Sequence, residues 1–552
     1  ISPHDHNTLY VTSQHVHRTT NAGQTWEVIS PDLSMNDKSK QTISGGLTPD
    51  NIAVEYANVI YAFDESPVQQ GLFWAGTNDG LVHISQDRGG SWNDLTANIP
   101  DLPPLGVVRN IDASKWDAGK AYLTVDLHQV GDFKPYVYKT DDYGQSWDLI
   151  TTGIADSTML NYARCIREDP IRPGLLYLGT ENALYYSLDD GEKWQSLMTN
   201  LPHSPMYWLD IPEHFNDLVV GTYGRGIWIL DDISPLQQMN PEIFDSPAHL
   251  FHPKPVYRLR PVTMIMQFFP EASFGKDPPY GASIHYWLAN DNDSVKIHIT
   301  DDAGDTLRTI KHKGKSGINR VWWNLRTDST DQIVMRTKPK YADWFPLDKQ
   351  RTRKSIIAPF RVLVPPGTYQ IRMTIDDEDL ERTIQVLKDP NSEGTANDIS
   401  QQISLMMKLY NDMNTLADMI NEMESIRRQL LDLSATIKEK TEYTEVHAAI
   451  APLDSVLLAL EGKMIQLKFT GTGQDQVRYP AMLAERIDYL ASTVSIGDFP
   501  PADSHLEVYA LLKDRLSAYQ QEFQHILDGP LEEFLGLLDN NEVKPIISNY
   551  EP

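Results

Sequence analysis

The sequence predicts a mainly β chain with an α-helical C-terminal domain: a partial β-propeller, an immunoglobulin-like β-sandwich and an antiparallel helical bundle, in that order. Three observations predict it. An eight-residue motif, Ser/Thr-x-Asp/Asn-x-Gly-x-(Thr/Ser/Lys)-Trp, recurs four times in the first 200 residues. Beyond it, from about 251 to 390, strand-like runs continue without the motif. From Asp398 onward the apolar period changes from 2 to 3.6.

The motif copies are Thr19–Trp26, Ser85–Trp92, Thr140–Trp147 and Ser187–Trp194, with Trp-to-Trp intervals of 66, 55 and 47 residues. That spacing fits one four-stranded blade plus loops. Short runs rich in Val, Ile, Tyr and Trp fall in the same order around each copy, with Gly, Asp, Asn and Pro between them. The motif then lies at the turn between third and fourth strands. Its acid (Asn21, Asp87, Asp142, Asp189) accepts backbone N–H groups of the turn. Its glycine (Gly23, Gly89, Gly144, Gly191) supplies a conformation other residues resist. Its tryptophan (Trp26, Trp92, Trp147, Trp194) opens the outer strand and packs into the blade. Asn21 cannot ionise, so the acids read as turn-makers, not catalysts. A second mark, Gly-Thr, closes the second strand at Gly76-Thr77, Gly179-Thr180 and Gly221-Thr222.

The first blade lacks an inner strand and the last lacks an outer one. Residues 1–240 therefore read as three full and two partial blades, too few to close a ring. The expected partner is an upstream propeller segment, from the same precursor or another chain. Residues 241–392 carry the sandwich, with turns at Asn290–Asp293 and Pro365–Thr368 and a basic, aromatic loop between Arg326 and Pro359. In residues 393–552, Ile399, Ile403, Met406, Tyr410, Met413, Ala417 and Ile420 share one helical face and read as core. Further helices are expected at about 442–469, 476–495 and 503–540, broken at Gly471–Gly473 and Gly497–Pro501.

With 48 basic against 76 acidic residues, the net charge of −28 excludes nucleic acid and anionic membrane as main partners. No apolar run is long enough to span a bilayer. The single cysteine, Cys165, permits no intrachain disulfide and reads as a buried strand thiol.

Candidate chemistry is sparse. Acids outside the boxes include Asp112, Asp126, Glu168, Asp169 and Asp210, and no spacing singles out a glycosidase pair. Arg109, Arg164, Arg167 and Arg225 lie in or near inner-strand segments, where they can face a central channel or pair with neighbouring acids. Tyr223 and Arg225 project from the glycine-rich turn in Gly221–Asp232. His15 and His17 share a strand face but lack a third metal ligand of defined spacing. No cofactor motif is present, so neither cofactor nor metal is expected.

The stretches Ser2–Asp37, Pro173–Pro202, Asn216–Met239, Ile318–Arg326 and Tyr479–Pro501 together resemble the large bacterial Asp-box (BNR-repeat) proteins related to the sortilin N-terminal domain. Many of these are labelled glycosyl hydrolases. The resemblance covers essentially the whole chain. It implies export, to the cell surface, periplasm or medium of a bacterium, and supports additional upstream blades. It transfers no catalytic acid onto a position here, and peptide binding carries over only weakly because the cysteine-rich module of sortilins has no counterpart. The leading expectation is a binding or scaffolding platform for a glycan, peptide or envelope partner. The alternatives are a sialidase- or xyloglucanase-like glycoside hydrolase acting in the channel and a subunit of a cell-envelope complex.

Overall fold

Alternating, β-branched and aromatic segments pair into five successive antiparallel sheets, in a computed structural model that describes residues 1–41, 58–155, 158–260, 277–339, 344–355, 357–468 and 478–543. The chain divides into two compact units, Ile1–Ala248 and His249–Pro552. In the first, complete four-stranded sheets occupy 60–94, 107–149 and 163–196, each a meander from inner to outer strand. Three-stranded sheets flank them at 9–28 and 218–230 with Met206–Asp210. The inner strands Ile60–Glu65, Val107–Ala113, Ala163–Glu168 and Met206–Asp210 lie side by side, as propeller blades do.

The motif forms a tight turn held by its own side chains. Asp87 accepts the Ser91 N–H at 2.8 Å and the Ser91 hydroxyl at 2.7 Å, and these bonds hold its carboxyl below the usual range. Asp142 and Ser146 repeat the pair, and Asp189 accepts the Lys193 N–H at 2.9 Å. In the first copy the Asn21 amide oxygen takes the same role toward Thr25.

The tryptophan packs into its own blade, where Trp92 stacks on Phe73 with centroids 6.2 Å apart, and it also reaches the preceding one. The Trp92 indole N–H donates to Ile29 O (2.9 Å), and that of Trp194 to Ile150 O (2.7 Å); both carbonyls end the preceding sheet. Trp147 meets Trp74 of the preceding sheet edge to face, centroids 6.1 Å apart. Gly89 belongs to the same joint: a Cβ there would lie 2.5 Å from Ile29 O. The second, third and fourth motifs are thus inter-sheet clamps. At the first copy no sheet among the described residues is clamped. Trp26 is 44% exposed, and a Cβ on Gly23 would meet no atom nearer than Trp26 itself at 3.9 Å.

The Gly-Thr mark makes the reciprocal contact. A Cβ on Gly179 would lie 2.8 Å from Met206, so its absence admits the next inner strand. On Gly221 it would meet only Trp208 of the same sheet, at 3.7 Å. The fifth sheet leaves Ile227 and Ile229 exposed.

A buried polar joint links the third and fourth sheets. The Tyr122 hydroxyl donates to Asp190 (2.6 Å) and Glu168 (3.2 Å), and Lys120 pairs with Asp190 at 2.6 Å. Tyr122→Phe should destabilise the unit by about 1–3 kcal/mol, the cost of stripping a charged acceptor of a buried donor; chemical denaturation measures it.

In the second unit, strands Ala248–Leu250, Ala282–Leu288 and Gly317–Trp323 form one sheet. A five-stranded sheet runs in the order Val256–Arg258, Glu378–Lys388, Gly367–Ile375, Asn292–Thr300, Thr306–Gly314, with one parallel pair at its edge. Helices follow at Ala396–Ile437, Thr444–Met464, Leu483–Val494, Asp503–Ile526 and Glu532–Asn540. The first starts at a capping box in which Thr395 and Asp398 exchange side-chain and backbone hydrogen bonds. Met406, Met413, Ala417 and Ile420 of the predicted stripe are buried in one core with Leu457, Ile487 and Leu516. The predicted helix break at Gly471–Gly473 lies outside the described residues.

The segment between Arg326 and Pro359 corrects the expectation of a plain loop. It contains a two-stranded ribbon, Val334–Met335 with Arg353–Lys354, laid on the long helix. Asn421 accepts the Val334 N–H at 2.7 Å, and Glu424 accepts that of Thr337 at 2.7 Å. Polar helix positions outside the apolar stripe supply these anchors, so hydrophobic periodicity alone does not reveal them.

Candidate functional site

Each of the four inner strands carries a β-bulge near its start, at Tyr61, Arg109, Arg164 and Tyr207. A bulge breaks the in–out alternation and re-aims one side chain. Repeated on adjacent strands, it gathers these four side chains into one tier. Arg109 donates to the hydroxyls of Tyr61 (2.9 Å) and Tyr207 (3.3 Å), with its guanidinium 5.0 and 5.4 Å from their ring centroids. Arg164 lies 5.1 Å from the centroids of both Tyr207 and Tyr162, in cation–π range.

Acids hold both arginines from behind. Arg164 pairs with Glu181, and Arg109 lies 3.6 Å from Asp126, whose other oxygen meets His128 Nδ1 at 2.6 Å. The His128 ring stacks on Tyr162 at 4.9 Å. Tyr207 (43% exposed) and Tyr223 (72%) are in ring contact at 5.8 Å, extending the tier to the open side. Arg225 is exposed on the adjoining turn, where its carbonyl accepts the Trp228 indole N–H.

Three residues further along the same strands lies a second tier: Asp64, Asp112, Arg167 and Asp210. It serves mainly as a joint. Asp64 accepts the Ala113 N–H, Asp112 accepts the Glu168 N–H and pairs with Arg167 at 2.7 Å, and Arg167 donates to Leu209 O. Arg167 also lies 4.6 Å from the Trp208 ring, which is 51% exposed. Burial, then the neighbouring Asp112 charge, push the Asp64 carboxyl from its ordinary 3.8 up to about 7. The fold therefore favours neutral Asp64. Its contribution to stability is greatest below pH 3.8 and is lost as pH rises to about 7. Asp64→Asn should flatten that slope, as denaturation midpoints at pH 5 and pH 8 would report.

The remaining sequence candidates have structural partners. Glu168 binds the Gly174 N–H and the Tyr122 hydroxyl; burial raises its carboxyl. Asp169 accepts the N–H groups of Ile171 and Arg172. Cys165 is buried against Met206 O, and burial pushes its thiol up to about 12. His15 and His17 bond to Ser30 O and the Ser13 hydroxyl. Among the described residues no group of three or more metal-ligating side chains converges, and no helix is long and apolar enough to cross a membrane.

Sequence reasoning missed Tyr61, Tyr162, Tyr207 and His128. The usable signal for Tyr61 and Tyr207 was alignment: superposing Ile60-Tyr61, Val108-Arg109, Ala163-Arg164 and Met206-Tyr207 puts the tier in one column.

Fold and site together define a mainly β protein of propeller blades, lined by a tyrosine–arginine tier and continued by a helical C-terminal region. No protein-family model matches the chain, and no curated protein matches it. Similar solved structures include the GH74 enzyme of Niastella koreensis (12% identity, 42% of this chain, 29% of that one, TM-score 0.26). Others are YCF48 bound to D1 peptide (14%, 59% and 81%, TM-score 0.25) and an ancestral GH74 enzyme (10%, 71% and 62%, TM-score 0.29). The chain thus spans under a third of the Niastella enzyme's length.

Proposed function

We propose that the N-terminal unit is a binding platform whose ligand, a glycan or a peptide, docks on the tyrosine–arginine tier. The carrying observation is the set of aligned bulges that place Tyr61, Arg109, Arg164 and Tyr207 together, with Tyr207, Trp208 and Tyr223 open to solvent. Flat rings and planar guanidinium groups stack on sugars or peptide planes at low entropic cost. The exposed clamp at Trp26 and the bare face at Gly221 support a further part of this reading: more blades of the same kind cover both ends. In it the chain is an exported bacterial Asp-box protein related to the sortilin N-terminal domain, with an immunoglobulin-like sandwich and a helical bundle following the blades in sequence. A place in a cell-envelope assembly fits the same platform.

Glycan and peptide arrays probed with the whole protein test it. Tyr207→Ala should weaken a hit about 30-fold, the ~2 kcal/mol of an interface anchor. Full retention of binding in Tyr207→Ala and Tyr223→Ala sinks the assignment. A second reading, a glycoside hydrolase acting in the channel, draws on the Asp64–Asp112 pair, whose elevated Asp64 carboxyl suits a general acid. It requires turnover of a glycan library that Asp64→Asn abolishes; inert wild-type protein removes it.

A further inference from the structure

The second unit contains a cavity of about 950 Å³ between the ribbon strand Arg353–Lys354 and helices Leu483–Val494 and Asp503–Ile526. Its volume is at the upper end of the usual small-molecule range of about 300–1,000 Å³. The deep wall is apolar, with Met335, Ile357, Leu490 and Leu512 all buried. Toward solvent, Tyr489, Val508 and Leu511 remain exposed, unusual for large apolar groups that already share a helix pair.

The charge of the lining runs against that of the chain. In a protein of net charge −28, it presents Arg353, Lys468, Arg486 and Arg515 against two acids, Glu485 and Asp488. Glu485 is engaged by backbone: its carboxylate accepts the N–H groups of Gln466 and Met482. Arg353 is the inner cation. Its Nε is buried with no hydrogen-bond partner, although such groups are almost always satisfied. Burial disfavours its charge, against the pull of Glu424 and Glu461 behind it. A buried guanidinium N–H beside an apolar cavity calls for an acceptor that arrives with a hydrocarbon body.

We infer that this cavity binds an amphiphilic anion, an alkyl chain ending in a carboxylate or phosphate, with the head group on Arg353 and the chain along Leu490, Leu512 and Val508. The exposed lysine and arginines at the mouth steer the anion in. A free fatty acid and a monoacyl phosphate share this chemistry.

Calorimetric titration of the whole protein with dodecanoate, dodecyl phosphate and dodecanol, each below its micellar concentration, tests the inference. Saturable one-to-one binding of at least one anion is expected, at least tenfold tighter than dodecanol; the tighter anion identifies the source. Arg353→Met should weaken that anion at least tenfold and narrow its advantage over dodecanol. Val508→Trp, at the exposed mouth, should block all three ligands without disturbing the fold, which circular dichroism checks. Absence of saturable binding, equal affinity for dodecanol, or unchanged affinity in both folded variants would overturn it.

Discussion

Replacing Arg427 with alanine is expected to cost the second unit about 3–5 kcal/mol, the usual penalty for removing one partner of a buried ion pair. Its guanidinium contacts Glu424 at 3.0 Å and Asp454 at 2.9 Å and also pairs with Glu461. Both glutamates are fully buried. Glu424 also accepts the Thr337 N–H and hydroxyl at 2.7 and 2.6 Å, so it joins the ribbon to the long helix. Without the arginine, two buried carboxyl groups face each other, and Glu424, which holds the ribbon at Thr337, loses its counter-ion. Urea denaturation followed by helical circular dichroism measures the loss. A change under 1 kcal/mol would show that water reaches the cluster.

Glu461 adds a pH dependence of defined sign. Burial, and after it the Glu424 charge, raise its carboxyl well above the usual range despite Arg427. The folded state holds the proton more tightly than the unfolded chain. The group's contribution is therefore complete below the ordinary carboxylate range and is lost as pH rises through its elevated value. Glu461→Gln should be close to neutral at pH 5 and stabilising at pH 9. Destabilisation growing toward pH 9 would mean that the buried glutamate is ionised.

The repeats made the blade frame legible because the motif's hydrogen bonds are local: Asp87 and Ser91 are four residues apart. What the motif's tryptophan and glycine touch was not legible, because Ile29 lies 63 residues from Trp92. The candidate site was half legible. Arg109 and Arg164 stood out as charges in apolar strands, whereas Tyr61 and Tyr207 passed as ordinary strand aromatics. Inner-strand position and bulge register together separate them from second-strand tyrosines such as Tyr122 and Tyr177, which are buried. The anion cavity was opaque to sequence, since its wall joins a ribbon strand near 353 to helices more than a hundred residues later.

Trp194→Ala should cost the first unit about 3–5 kcal/mol, and Trp26→Ala less than about 0.5 kcal/mol, although the two occupy the same motif position. Trp194 is 2% exposed and loses both its packing against the preceding sheet and the bond to Ile150 O. Trp26 has no such sheet among the described residues. For a unit of this size the first substitution should lower the melting temperature by roughly 10 °C, at about 2–4 °C per kcal/mol. The contrast tests the clamp directly: equal losses at both positions, or none at Trp194, would refute it. The same pair tests the proposed additional blades. In a longer chain that carries a sheet before residue 9, Trp26 should bury, and its replacement should become as costly as that of Trp194. If Trp26→Ala stays neutral there, the added segment does not dock on this face, and the open clamp is a free surface in its own right.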